Sequence, residues 1–91
     1  MTIIQIAEKL HIAPQVVERE GIKALLEKKL LQMETELLLL ARKYTINTIS
    51  DFLSAIKKGM ISETEDSRED FFRFDYLEAE LGKIDELLQS L

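Results

Sequence analysis

The stretch IKALLEKKLLQMETELLLLARKY, residues 22–44, decides the fold. Leu26, Leu30, Met33, Leu37, Leu40 and Tyr44 recur at alternating spacings of four and three residues. That is the seven-residue repeat of a helix burying one stripe. No Gly or Pro interrupts it, so the spacing predicts a long helix over about 22–44. Leu25, Leu31, Leu38 and Leu39 fall off the stripe, which makes the helix apolar on more than one side. Such a helix is central in a bundle or shared with another chain. Leu31, Leu38 and Leu39 are therefore the candidate self-association residues.

Toward the N-terminus, Gly21 either ends a short helix as a left-handed cap or sits inside a longer one at about 1 kcal/mol of cost. Pro14 suits a first helical turn, where its missing N–H costs nothing. His11, Ile12 and Ala13 read as a turn. Before them, Ile3, Ile6, Ala7 and Leu10 have helical spacing, with Thr2 as N-cap. A short strand through the β-branched TIIQI is the alternative.

Toward the C-terminus, Thr45, Ile46 and Asn47 break the long helix. Thr48 followed by Asp51 resembles a capping box. Ile49, Phe52, Leu53 and Ile56 form one face of a short helix that Gly59 ends. After the loop MISETEDS, Ser67 with Asp70 marks a start for a last amphipathic helix, about 68–90. Together these readings give an all-α chain, a helical bundle or helical-hairpin assembly in a single domain over 1–91. Residues 1–46 hold the N-terminal helices and 47–91 an acidic helical part.

Four of the chain's six aromatic residues crowd into six positions: Phe71, Phe72, Phe74 and Tyr76. On a helical wheel at about 100° per residue, Phe74, Leu77, Leu81, Ile84, Leu87 and Leu88 are placed on one inward stripe. Phe72 and Tyr76 lie roughly opposite it, one turn apart, and Ala79 and Lys83 continue their face. Phe71 stands on the border. Aromatic residues off the core stripe are what interface centres favour. Phe71, Phe72, Tyr76 and Lys83 are therefore the candidate partner-binding residues. Cover by another element of the same chain is the competing reading.

Composition narrows the function classes. There is no Cys and a single His, and no Gly-rich phosphate loop, so no catalytic constellation stands out. We expect no enzyme, no metal or other cofactor and no small-molecule substrate. Asp66, Glu69 and Asp70 read as acidic residues complementing a helix N-terminus. The longest apolar run is five residues, 37–41, far short of a membrane span. MTIIQIAEKL lacks the basic region and cleavage site of a signal peptide. A cytoplasmic protein without membrane contact is expected. The net charge of −5 is uneven. Residues 1–46 carry seven basic against six acidic side chains, and residues 47–91 carry five against eleven. The acidic half disfavours nucleic acid and suits a basic partner.

Two motifs carry functional readings. Residues 3–26 resemble a DNA-binding helix-turn-helix, with Ala7 as the small residue where two helices cross. Gln15, Arg19 and Lys23 would then reach toward DNA. His11 replaces the usual turn Gly, and Glu18 and Glu20 would face phosphates unfavourably. The second motif is ARKYTINTISDFLSAIKKG, an acidic loop, then DFFRFDYLEAELGKIDELL. It resembles small helical antitoxins of prokaryotic, chiefly archaeal and cyanobacterial, type II toxin–antitoxin pairs. The shared features are a helix break at Lys43-Tyr44-Thr45, a Gly59 stop, and an aromatic segment leading into a Leu-rich helix. Thr45 stands where that family usually has Gly. The resemblance implies a protein that binds and masks a toxin, often a small RNase. Electrostatics would speed the encounter, and Phe72 and Tyr76 would anchor it. The remaining alternatives are a helix-turn-helix transcription regulator and a structural self-assembling helical protein, with a homodimer fitting either.

Overall fold

Capping chemistry sets where the helices begin. The computed structural model describes residues 1–91 as four helices without a strand: α1 (Ile3–Leu10), α2 (Pro14–Tyr44), α3 (Ile49–Lys57) and α4 (Glu65–Gln89). Thr2 accepts from the Gln5 amide while the Gln5 side chain accepts from the Thr2 amide. This reciprocal cap makes residues 3–10 a helix, not a strand. Thr48 and Asp51 form the same device at the start of α3. The cap of α4 differs from the expected Ser67–Asp70 start. Thr64 is the N-cap and Ser67 its third helical residue, so α4 begins at Glu65. Ser67 is itself buried. Its hydroxyl donates to the Ser62 or Thr64 carbonyl, at 2.8 and 3.1 Å, which ties down the 62–67 loop.

The long helix is longer than the apolar repeat suggests. It starts at Pro14 and runs through Gly21, which carries no cap. Thr45 ends it in the left-handed region at φ 54°. The Ile46 amide bonds back to the Ala41 carbonyl at 2.9 Å, and Ile46 is buried just beyond. That is a Schellman-type stop with its hydrophobic contact. Arg42 and Lys43 in the last turn complement the helix dipole. Gly59, at φ +74°, makes the turn after α3 as expected.

α2 and α4 pack antiparallel. Lys43 pairs with Asp66 and Asp70 near the start of α4, and Glu36 pairs with Arg73 further along it. The inward stripe of α4 buries Phe74, Leu77 and Ile84. Leu26, Leu30, Met33, Leu37, Leu40 and Tyr44 are all half-buried, as the repeat requires. Leu87 departs from expectation. Ile84 already stands at the border of the stripe, and Leu87, three residues on, sits about 60° further from the stripe's centre and is exposed.

The core lies at one end. Ile46, Phe52 and Phe74 form its centre, ringed by Leu37, Leu40, Ala41, Tyr44, Ile49, Ile56, Ile61 and Phe71. The Phe52 ring meets Tyr44 at 4.6 Å, Phe71 edge-on at 5.4 Å and Phe74 edge-on at 6.1 Å. Such pairs each add about 0.5–1.5 kcal/mol beyond the area they bury. The molecule is a rod of 60 × 23 × 16 Å. Its radius of gyration is 18.9 Å, against about 12 Å for a compact chain of this length. No helix is long and apolar enough to cross a membrane.

Candidate functional site

The most developed surface feature is built where α3 meets the first turns of α4. Phe74 points inward and is sealed. Two residues earlier on the helix, Phe72 must therefore point outward, and it is 68% exposed. Phe71 lies between them. It is half-buried, edge-on to Phe52 on one side and to Phe72 on the other, at 5.7 Å. The aromatic cluster thus runs as a continuous chain from the core to the surface. Leu53 and Ile56 of α3 lie beside it. Together with Phe71 and Phe72 they line an apolar groove of about 200 Å³, with Glu63 and Arg68 at its rim.

The outward face continues along α4. Tyr76 is exposed, and the Arg73 guanidinium lies over its ring, 5.3 Å from the centroid. Lys83 stands about 10 Å further along the helix, paired with Glu80 at 3.0 Å. The structure therefore brings Phe71 and Phe72 together at the groove and places Tyr76 next to them. Lys83 lies on the same helix face but outside the groove. Leu53, Ile56, Glu63 and Arg68 were not legible as site residues. Leu53 reads as core from its spacing on α3, yet Phe52 takes the interior and leaves it exposed.

A polar clamp ties the end of α2 to the first turns of α4. Lys43 Nζ donates to Asp66 at 2.9 Å and to Asp70 at 2.7 Å, and the Tyr44 hydroxyl donates to the same Asp70 oxygen. Burial pushes the Asp70 carboxyl up, but the Lys43 and Tyr44 donors outweigh it and hold it below the usual carboxylate range. Tyr44 moves the other way: burial, then its bond to Asp70, raises its hydroxyl. Lys43 is held protonated by its two carboxylates. Of the carboxylates that begin α4, Asp66 and Asp70 are thus engaged by a cation from α2. The Glu78 carboxylate accepts from the Ile49 amide at 2.7 Å, fixing the start of α3 against α4. The clamp thus joins α2 to α4, and the Ile49–Glu78 bond joins α3 to α4.

The other candidate residues lie elsewhere. Gln15, Arg19 and Lys23 are exposed and four residues apart, so they form one row near the start of α2. Ala7 is buried where α1 meets α2, 1% exposed. His11 adopts the left-handed conformation at φ 56°, so it fills the turn position that usually takes Gly. Leu31, Leu38 and Leu39 are all exposed.

Comparison with known proteins gives one relationship. The model of a family described as "Uncharacterized protein MJ0235 family" matches residues 1–91. No curated protein and no solved structure matches.

Proposed function

We propose that this chain, which belongs to the MJ0235 family, is a non-enzymatic protein-interaction module that docks a basic partner on the outward face of α4. The observation that supports this is Phe72, two-thirds exposed at the lip of an apolar groove. A large aromatic side chain left in water beside a concave apolar surface is the arrangement of an interface anchor and its pocket. The eleven acidic against five basic residues of 47–91 set the sign of the partner's surface. The resemblance to helical antitoxins gives the partner a class: a toxin with a cationic, RNA-binding face, masked in the cytoplasm.

The test is to express the products of the neighbouring genes with this chain and measure which of them binds, a basic protein being expected. Phe72→Ala is expected to weaken binding more than tenfold while changing stability by less than about 1 kcal/mol, as surface substitutions do. Tyr76→Ala is expected to behave alike. If Phe72→Ala instead costs about 3 kcal/mol or more, the ring acts as core and the reading fails.

A second reading attaches to the other end of the rod, because Gln15, Arg19 and Lys23 share one exposed row behind a tight turn. It takes the chain as a DNA-binding regulator. A salt-sensitive shift of the chain's own upstream DNA, weakened by Arg19→Ala and Lys23→Ala, would support it. Absence of any shift at low salt would remove it.

A further inference from the structure

We infer that the N-terminal end of the rod, α1 with the first turns of α2, docks on the same surface of a second copy of this chain. The contact lies away from the Phe72 groove and does not rest on the function proposed for it.

The inward stripe of α1 is Ile3, Ile6, Ala7 and Leu10, within about 100° of one another on the helix. Only Ala7, the smallest, is buried. Ile3 and Leu10, on the same stripe, remain 47% and 56% exposed. Ile12 in the turn and Ile22 and Leu25 on α2 are exposed as well. Among residues 1–45, Ala7 is the one buried residue. An amphipathic helix gains its stability by covering its apolar stripe, and here the chain's own elements bury Ala7, half-bury Ile6 and leave Ile3 and Leu10 exposed.

The surface area gives the scale. The chain exposes 6812 Å². A compact monomer of 10.5 kDa exposes about 5,400 Å², which leaves a surplus of about 1,400 Å². A standard stable interface buries about 800 Å² per partner, so the surplus is large enough for one.

Charge selects the occupant. A two-fold contact sets a surface against its own copy. Residues 1–25 carry Lys9, Arg19 and Lys23 against Glu8, Glu18 and Glu20, which balance. The acidic 47–91 half would repel its own copy, whereas this end does not. A neutral apolar end therefore fits a second copy, and the acidic end fits a different, basic chain.

The test is molar mass in solution by light scattering, at a low and a high micromolar concentration, with helix content followed by circular dichroism. The wild-type chain is expected at twice 10.5 kDa. Leu10→Glu with Leu25→Glu is expected to raise the dissociation constant by roughly tenfold or more, since charges would be buried in the contact. Should that pair lose helix content, Ile12→Asp in the turn gives the same readout. A wild-type chain at single-chain mass under both conditions would overturn the inference. So would a dimer that survives the α1 and turn variants and separates on Leu31→Glu with Leu38→Glu, because the contact would then lie along the middle of α2.

Discussion

The two ends of the rod differ in how many elements converge there. At the C-terminal end the close of α2, all of α3 and the opening turns of α4 meet, and Phe52 and Phe74 are sealed completely. At the other end α1 packs on α2, and one alanine is buried. Three converging elements enclose whole aromatic side chains, whereas α1 laid on α2 encloses one alanine. The difference shows where this chain is self-sufficient. It folds a core at one end and presents unfinished apolar surface at the other.

Core truncation should separate the ends most sharply. Phe52→Ala is expected to cost about 3–5 kcal/mol, read by thermal or denaturant unfolding. Leu10→Ala, measured on the single chain at low concentration, should cost under about 1 kcal/mol. Comparable losses would erase the distinction.

The Asp70 clamp comes next. Asp70→Ala leaves the part-buried Tyr44 hydroxyl without its acceptor, while Lys43 keeps Asp66, and should cost about 1–3 kcal/mol. The pH dependence has two arms. Asp70 is held below its ordinary value, so its contribution is present above about pH 4 and is lost as pH falls through the lowered folded-state value. Tyr44 is raised, so its contribution is present below about pH 10 and is lost as pH rises through the raised folded-state value. Melting temperature should therefore fall on both sides of a plateau, and Asp70→Asn should flatten the acid arm and only reduce the alkaline one, whose first cause is the burial of Tyr44.

The smallest effects concern the two left-handed turns, one at each end. Thr45 is β-branched and strained at φ 54°, so Thr45→Gly should gain up to about 1 kcal/mol. His11 tolerates the left-handed region better, and His11→Gly should gain less. Equal gains would mean that the backbone alone, not the residue type, sets the cost.

Local chemistry made much of the fold legible. The α2 stripe, the Thr48–Asp51 cap and the Gly59 turn all stand as read, because each depends on residues within a few positions. The start of α2 was less legible. Nothing local distinguishes a Gly that caps a helix from one that sits inside it, and packing of α1 across the first turns favours continuity. The start of α4 was hidden because Thr64–Ser67 and Ser67–Asp70 offer overlapping caps. At the candidate site, the outward turn of Phe72 and Tyr76 follows from the helical period. The groove does not, because Leu53 and Ile56 reach it from another helix. The clamp joining Lys43 and Tyr44 to Asp70 spans 27 and 26 residues and leaves no pattern in the chain.

Amide hydrogen exchange along the chain, at two protein concentrations, tests the contrast between the ends most directly. Residues 46–84 should exchange slowly at both concentrations. Residues 3–25 should exchange fast when dilute and become protected as concentration rises. Equal protection of residues 3–25 at both concentrations, or fast exchange across 46–84, would contradict a chain that completes one end itself and the other with its copy.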